Sequence, residues 1–229
     1  TGGLGSKLGI LQLRNRLKEM PLEAIFRQPE MTTAQALEEE YGFDSRMVSR
    51  FFKPFYSGIF LEKDLATSRR MFDFVFKMFA EGAVAVPDKG MQQIPLQLAA
   101  NLPEDSIRLN CKVEKVEGHQ VSLENGEVLS AKNLVLATEA TGLVREYLPL
   151  VNTAYQTTTH LHFITSHTPV QQPLIALNTR SGDLVNSITP ISQVAPGYAP
   201  CGKTLLSVSI VGKTDLDDVS LAGKVRGEL

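Results

Sequence analysis

The stretch that decides the fold runs from Val84 to Ala140 and reads VAVPDKGMQQIPLQLAANLPEDSIRLNCKVEKVEGHQVSLENGEVLSAKNLVLATEA. Its first part predicts a short extended segment that turns at Gly90, followed by a helix from Gln92 to Asn101. A glycine at such a turn allows positive φ or close backbone approach, and the start of the helix offers free N–H groups. Turns of this kind are common in purely structural roles, so this turn alone does not predict a site.

The second part of this stretch predicts a hairpin followed by a buried strand. Apolar and polar residues alternate over Ile107–Val116 and again over Val121–Leu123, and Asn125-Gly126 is typical of a tight hairpin turn. The apolar run Asn133–Ala137 predicts a buried parallel strand that ends at Thr138. Small residues at the carboxyl end of such a strand leave room for a ligand above the sheet.

Bulk properties place the chain among ordinary globular proteins. Of its 229 residues 43% are hydrophobic and 21% charged, and the net charge of -2 arises from signs mixed along the sequence. This argues against nucleic-acid binding, which needs a concentrated basic surface. No apolar run reaches the roughly 20 residues that a membrane-spanning helix requires. Cys111 and Cys201 favour neither a disulfide framework nor a cysteine metal site, so we expect a reducing, cytoplasmic location.

Residues 1–82 show the apolar spacing and the start signals of helices. Thr32-x-x-Gln35 is typical of a capping box, and Asp44 and Asp64 are candidate N-caps. Pro54 is predicted to interrupt the helix that follows Asp44, because proline lacks the N–H that a helix interior uses.

Phenylalanine is concentrated in this helical region, where eight of the eleven lie between Phe51 and Phe79. One interpretation is the core of a helical subdomain. A second is an apolar wall for a large lipid-like or ring-shaped substrate, because aromatic faces offer broad dry contact. A third is a docking surface of a non-enzymatic binding or scaffold module. An enclosed apolar cavity that opens toward Val113 and Thr138 would favour the second interpretation, and an exposed flat aromatic patch would favour the third.

After Asn152 the sequence pattern changes to a period of two. Four strands are predicted, at Tyr155–Thr165, Leu174–Asn178, Leu184–Thr189 and Leu205–Val211. Turns rich in proline and glycine separate them, which indicates an antiparallel sheet. The whole pattern predicts an α+β fold, with an α/β portion beside a portion of antiparallel sheet and helices.

The central motifs resemble those of a known enzyme family. PxxGMxxxPxxLAxxL from Pro87, IxLNxxVxxV from Ile107, NGE at Asn125 and NLVLAT from Asn133 are similar to the flavin-dependent amine oxidase superfamily. More narrowly, they resemble its phytoene desaturase and protoporphyrinogen oxidase-like branch. FKPFYSGIFL and SQVAPGYAPCGKTLLSVSIVG are similar to the same branch, so the resemblance covers most of the chain. It implies FAD bound in a two-domain fold and hydride removal from C–C, C–N or ring C–H bonds.

Carried over position by position, the resemblance assigns five cofactor-binding residues. Val113 matches the residue whose backbone N–H and C=O pair with the FAD adenine. Ala137 and Thr138 match the strand end that lies against the cofactor. Gly90 and Met91 match the turn near the flavin side of the cavity.

The resemblance also implies three functional regions: a helical part of the substrate domain at 1–82, a partial FAD-binding domain at 83–148, and a β-sheet part of the substrate domain at 149–229. The family's GxGxxG phosphate loop and its C-terminal Gly-Asp segment are absent, and Gly3-Leu4-Gly5 does not fit the loop's spacing. The chain begins without Met and ends in a helical pattern with no cap signal. We therefore interpret it as the central fragment of a longer enzyme, and expect it to be inactive and not to retain FAD by itself.

The partner that the resemblance implies is an apolar small-molecule substrate that passes hydride to the flavin. Amine-oxidising members carry a Lys near the flavin, whereas no Lys occurs here between Lys132 and Lys203. The pattern thus favours the desaturase branch, with an amine or protoporphyrinogen oxidase as the alternative. Because hydride goes directly to the flavin, no catalytic side chain is assigned. Peripheral membrane contact is left open, and no residue pattern assigns an electron acceptor or an oligomeric state.

Two further candidate sites are weaker. His160-x-His162 would place two imidazoles on one face of a strand, as a metal pair requires, but no third ligand lies close in sequence. We interpret both as ordinary sheet residues and predict no metal site. Cys201 lacks neighbours that would activate its thiol, so we interpret it as a free structural cysteine.

Overall fold

The computed structural model describes residues 3–138, 142–147, 155–168, 170 and 172–229. The chain divides into a larger unit, Thr1–Gln92 with Gln156–Leu229, and a smaller unit, Gln93–Tyr155. Helices and antiparallel sheets occur together, which confirms the predicted α+β fold class. The three functional regions stay a prediction, because units defined by packing carry no information on cofactor contacts. Across these described ranges, every helix is too short or too polar to cross a membrane.

In the described residues, the larger unit begins with six helices, and all but the short α2 lie in regions where the sequence predicts a helix. They are α1 (Leu4–Glu19), α2 (Leu22–Phe26), α3 (Thr33–Gln35), α4 (Ser45–Met47), α5 (Lys53–Phe60) and α6 (Arg69–Glu81). Wider π-helical turns extend α3 over Ala36–Glu40 and join α4 to α5 over Val48–Phe52. The predicted interruption at Pro54 is wrong. The proline lies in the first turn of α5, directly after a wider turn, where a missing N–H is tolerated.

Two helix starts follow the predicted side-chain chemistry. The N–H of Gln35 donates to Thr32 Oγ1 at 3.2 Å, and the N–H of Thr32 donates to Gln35 Oε1 at 3.0 Å, which completes the capping box. Asp44 Oδ1 accepts the N–H of Met47 at 2.7 Å. Both caps were predictable because they involve residues three apart in sequence.

A third helix start differs from the prediction. α6 is capped by Ser68, whose Oγ accepts the N–H of Arg70 at 3.2 Å, and not by Asp64. Leu65 has a φ of 52°, in the left-handed region, so a helix cannot continue from Asp64 through this residue. The helix therefore begins only after the chain has returned to ordinary backbone angles.

Aromatic residues fill the helical core. Phe52, Tyr56 and Phe72 are at most 1% exposed, and their rings lie 4.7–6.3 Å apart between centroids. The interpretation of the phenylalanine cluster as a core is confirmed for these side chains. Their burial also means that they form no exposed docking patch.

The smaller unit consists of α7 (Gln93–Ala99), β1 (Val113–Glu117), β2 (Gln120–Leu123), β3 (Val128–Ser130) and α8 (Gly142–Tyr147). The three strands form an antiparallel sheet in the order β1-β2-β3. The predicted hairpin turn at Asn125-Gly126 is confirmed, and Gly126 has the positive φ of 85° that such turns need.

Two strand predictions in this unit need correction. β1 begins at Val113 and not at Ile107, because Asn110 has a φ of 58° and breaks the extended run. Asn133–Ala137 forms no strand, and Val135 is 83% exposed. A parallel strand exists only through pairing with neighbours, and the sheet described for this unit is antiparallel and does not include these residues.

The second sheet belongs to the larger unit and confirms the predicted antiparallel arrangement. Its strands are β4 (Thr158–Thr165), β5 (Ala176–Leu177), β6 (Val185–Pro190) and β7 (Thr204–Val211), in the order β4-β7-β6-β5. α9 (Ile191–Val194) follows β6, and α10 (Asp218–Glu228) covers one face of the sheet. Leu221 and Val225 of α10 pack there against Val208 and Ile210. A cavity lies over the opposite face of the sheet.

Candidate functional site

A cavity of about 840 Å³, here called the sheet cavity, lies over the face that α10 leaves uncovered. Its floor is formed by residues that alternate with the core of the sheet. Val208 and Ile210 point into the core, whereas Ser207 and Ser209 line the cavity. This follows from the period of two in a strand, which sends neighbouring side chains to opposite faces.

The floor of the sheet cavity carries a row of hydrogen-bonding side chains. Ser209 of the central strand β7 lies directly opposite Ser187 of β6 on one side and His160 of β4 on the other. The hydroxyl oxygens of Ser187 and Ser209 are 2.7 Å apart and share a hydrogen bond. Two residue pairs along the strands, on the same face, Thr189 lies opposite Ser207, and both line the cavity.

The walls of the sheet cavity are apolar. Phe55 and Ile59 of α5 and Phe79 of α6 contribute to one side, and Leu174 and Ile175 contribute to another. The rings of Phe55 and Phe79 are 5.7 Å apart. These two phenylalanines therefore line the cavity, while the buried members of the cluster form the core. Their role as a wall for a substrate stays a prediction. The cavity combines a broad dry surface with a polar floor.

A β-bulge positions α5 beside the floor. The register of β6 against β7 shifts between Val185 and Ser187, and the extra residue is Asn186. Its Nδ2 donates to the carbonyl of Pro54 at the start of α5, at 3.1 Å. Bulges commonly re-aim a side chain in this way, and here the bulge ties the helix to the strand that carries Ser187.

The segment that leads to Gly90 borders the sheet cavity. Residues 84–86 line it, and the next carbonyl, that of Pro87, accepts the phenol hydroxyl of Tyr198 at 2.6 Å. Pro87 also accepts the N–H of Gly90 at 3.0 Å, which closes a turn in which Gly90 has a φ of 94°. Met91 follows and is 61% exposed. The two predicted turn residues, Gly90 and Met91, therefore follow a few positions after the segment that lines the sheet cavity.

The other three predicted residues lie together in the smaller unit. Val113, Ala137 and Thr138 line a second cavity of about 680 Å³, here called the edge cavity. The cavity lies between β1 and the segment 134–138. The sequence predicts Val113 on one strand, and Ala137 and Thr138 at the end of another. In the structure Val113 lies on β1, whereas Ala137 and Thr138 lie in an irregular segment.

The backbone of Val113 faces away from its own sheet. β1 is an edge strand, and Val113 lies opposite Leu123 of β2. The N–H of Glu124 donates to the carbonyl of Lys112 at 3.0 Å, which marks Val113 and Leu123 as a non-hydrogen-bonded pair. The N–H and C=O of Val113 therefore point to the open edge, where a ligand with a donor and an acceptor could take the place of a further strand.

Among the described residues, no three His, Cys, Asp or Glu side chains are grouped as a metal site would require. His160 and His162 alternate with core residues on β4, and His160 lines the sheet cavity. Cys201 is an exposed free thiol. Ser192 is nearly buried, and its Oγ accepts the N–H of Leu205 at 3.0 Å, which is a structural role.

The polar floor is not predicted from the sequence. His160 is predicted there only as half of a metal pair, and Ser187 and Ser209 are not among the predicted site residues. A signal was present, because hydroxyl residues alternate with apolar residues in TLLSVSIV of β7 and in the adjacent β6. Such alternation indicates a half-buried sheet, but the identity of the layer above its polar face depends on residues distant in sequence.

The family follows from a comparison over nearly the whole sequence. A profile of the family described as flavin containing amine oxidoreductase matches residues 6–229. The chain belongs to this family. The family is one of flavin-containing oxidoreductases, which agrees with the resemblance drawn from the central motifs. No curated protein matches the chain significantly in sequence.

Solved structures share the fold of this family member. A protein from Pyrococcus furiosus aligns with a TM-score of 0.69 at 15% identity, over 96% of this chain and 57% of its own. An oxidoreductase from Methanosarcina mazei aligns with a TM-score of 0.65 at 13% identity, over 99% and 55%. Reduced UDP-galactopyranose mutase aligns with a TM-score of 0.57 at 13% identity, over 93% and 55%. The chain therefore spans little more than half the length of these proteins, and identities this low show the fold alone.

Proposed function

We propose that the chain is the central part of an FAD-dependent oxidoreductase of the desaturase and dehydrogenase type. It supplies the substrate cavity and the surface that receives the adenine end of FAD. Bound FAD would accept the hydride that the substrate loses. The observation that carries the proposal is the sheet cavity, a space of about 840 Å³ with apolar walls in a chain whose family carries flavin.

The composition of the sheet cavity supports a substrate other than an amine. None of the described residues that line it is Asp, Glu, Lys or Arg. An ammonium group would lose its hydration there without gaining a carboxylate partner. The absence of Lys between Lys132 and Lys203 points in the same direction.

The open edge of β1 supports FAD as the form of the flavin. Adenine presents a donor and an acceptor side by side, and an exposed backbone N–H and C=O can pair with both. Val113 offers this pair beside the edge cavity, with Ala137 and Thr138 on its other side. These residues fit the adenine end, whereas Gly90 and Met91 are proposed for the flavin end.

The proposal is tested first on the protein expressed from the complete open reading frame. We expect it to carry FAD and, under anaerobic conditions, to lose the visible band of oxidised flavin when mixed with at least one member of a panel of isoprenoid and cyclic lipids. A matching panel of primary amines should leave the band unchanged. Bleaching by an amine and by none of the lipids would contradict the desaturase assignment.

The adenine contact is tested by Val113→Pro, with Val113→Ala as its control. Proline removes the outward N–H, and edge strands tolerate proline where no ladder bond is lost. We expect the proline variant to bind FAD at least about tenfold more weakly, and the alanine variant, which keeps the backbone groups, to bind normally. Equal FAD affinity of wild type and Val113→Pro, measured by calorimetry, would refute the contact.

A further inference from the structure

We propose that the sheet cavity selects an uncharged amphipathic substrate, whose apolar body lies against Phe55 and Phe79 and whose hydroxyl or carbonyl group hydrogen-bonds to the Ser187–Ser209 pair. The inference rests on the proposed function and narrows its substrate class. It departs from the purely apolar substrate that the family resemblance implies, because the floor of the cavity is polar.

The first argument is electrostatic. In the described lining, the one titratable side chain is that of His160, and it is accompanied by hydroxyl, amide and apolar groups. A carboxylate or an ammonium bound against these walls would be desolvated without an opposite charge to compensate. Substrates that carry several carboxylates are disfavoured for the same reason as amines.

The second argument concerns the free hydrogen-bonding capacity of the floor. Two hydroxyls carry two protons, and the 2.7 Å contact between Ser187 and Ser209 uses one of them. The pair keeps one O–H donor and spare lone pairs. The hydroxyls of Thr189 and Ser207 face the same cavity, and the described residues give neither of them a side-chain hydrogen bond. A pure hydrocarbon over this floor would cover donors and acceptors without replacing their water, which costs affinity.

The third argument is the arrangement of the polar and apolar parts. Strands in a sheet lie about 4.8 Å apart, so the row Ser187, Ser209 and His160 spans roughly 10 Å across the floor. Phe55 and Phe79 belong to α5 and α6, not to the sheet, and line the same cavity. A ligand that satisfies both surfaces must be polar on one side and apolar over most of its remaining area.

The experiment compares four compounds with one ring system and different head groups: 2-naphthol, naphthalene, 2-naphthoate and 2-naphthylmethylammonium. Each is titrated into the purified 229-residue chain at neutral pH by isothermal calorimetry. We expect 2-naphthol to bind most tightly, about tenfold more than the two ions and several-fold more than naphthalene. Tighter binding of either ion, or equal binding of naphthol and naphthalene, would overturn the proposal.

Variants separate the serine pair from general packing. In Ser187→Ala/Ser209→Ala, 2-naphthol should bind about as weakly as naphthalene, while naphthalene binding should not fall. Ser209→Thr keeps the hydroxyl and should keep the preference for naphthol. The control is Ser166→Ala, at the end of the same sheet, where the Ser166 hydroxyl accepts from Lys203 outside the cavity. An unchanged naphthol preference in a folded double variant would show that the pair does not recognise the head group.

Failure of this inference is distinguishable from failure of the proposed function. The titrations need neither flavin nor turnover, so they report on the cavity alone. Selective binding of 2-naphthol without flavin reduction by any lipid would leave the cavity assignment intact and defeat the oxidoreductase proposal. Flavin reduction by an unsubstituted hydrocarbon, with no preference for naphthol, would support the oxidoreductase proposal and defeat the cavity assignment.

Discussion

At the scale of single residues, the least expected feature is a buried cluster of charged groups in the helical core. Arg69 is 1% exposed, and its Nη2 donates to Tyr41 Oη at 2.8 Å and to Asp73 Oδ2 at 3.3 Å. Its Nη1 forms an ion pair with Glu40. Tyr41 in turn donates to Asp73 Oδ1 at 2.6 Å. Removal of any one partner from such a cluster destabilises the fold, because the remaining charge would stay buried and unpaired.

The pKa values of the two carboxylates in this cluster are shifted in opposite directions. Burial raises the pKa of Asp73, and the hydrogen bond from Tyr41 and the charge of Arg69 only partly offset it. Burial also acts to raise the pKa of Glu40, but hydrogen bonds from Arg69 and Arg16 outweigh it, so this pKa lies below its ordinary value of 4.5. Glu40 therefore stabilises the fold above its unfolded pKa, and this contribution is lost as the pH falls towards the folded pKa. Asp73 favours the fold when it is protonated, so its contribution declines as the pH rises from its ordinary value of 3.8 towards its raised pKa.

These signs predict opposite effects of two isosteric changes on acid stability. As the pH falls through the ordinary values of 4.5 for Glu40 and 3.8 for Asp73, Glu40→Gln should flatten the loss of stability, whereas Asp73→Asn should steepen it. Each slope can change by at most about 1.4 kcal/mol per pH unit, the limit for one proton. Urea midpoints measured at a series of pH values provide the test. Parallel pH profiles for both variants and the wild type would contradict the assignment.

At the scale of elements, the approach of α5 to the sheet depends on a residue without a side chain. A Cβ on Gly58 would lie 3.0 Å from Nδ2 of Asn186, the bulge residue that also bonds to Pro54. A contact this short is rare in well-packed interiors, so the Asn186 side chain would have to move by a few tenths of an ångström. Gly58 therefore sets the distance between α5 and β6, and with it the shape of the sheet cavity.

A pair of glycine substitutions tests this role of Gly58. Gly58→Val should destabilise the fold by about 1–3 kcal/mol, because the added side chain must displace Asn186. The matched change is Gly223→Ala in α10, where a Cβ meets nothing within 4 Å and the gain in helix propensity should stabilise by about 1 kcal/mol. Thermal unfolding of the two variants measures both effects. A neutral Gly58→Val would mean that α5 is free to move away from the sheet.

At the scale of the whole molecule, the larger unit is held by two separate hydrophobic cores. One is the aromatic core of the helices, and the other lies between the sheet and α10. α10 also supplies the carboxylate of Glu228, which accepts the N–H groups of Leu184 at 2.9 Å and Val185 at 2.8 Å. The sheet that carries the cavity floor thus depends on a helix that follows it in sequence.

This dependence predicts a marked difference between two positions on α10. Leu221 is 4% exposed and packs on the sheet, so Leu221→Ala should cost about 2–5 kcal/mol. Val219 is 82% exposed, and Val219→Ala should change stability by less than about 0.5 kcal/mol. Chemical denaturation gives both values. Equal effects would show that α10 does not close the second core.

Local features of the fold were predictable, and features that need distant partners were not. The capping box at Thr32, the hairpin turn at Asn125-Gly126 and the four strands of the larger sheet follow from residues within a few positions of each other. The start of α6 was misplaced because the left-handed backbone at Leu65 has no sequence signature. The strand predicted for Asn133–Ala137 was wrong because apolar composition alone does not supply a pairing partner.

The sequence by itself determined the family, the α+β class and the antiparallel sheet, since motifs, periodicity and turn residues act over short distances along the chain. Only the tertiary structure decided which face of that sheet is open, that Ser187, Ser209 and His160 form one row, and that Phe55 and Phe79 face a cavity while Phe52 and Phe72 fill a core. The physical reason is that a side chain's role depends on what packs against it. Those neighbours come from segments that are distant in the sequence, in the case of the bond between Asn186 and Pro54 by more than a hundred residues.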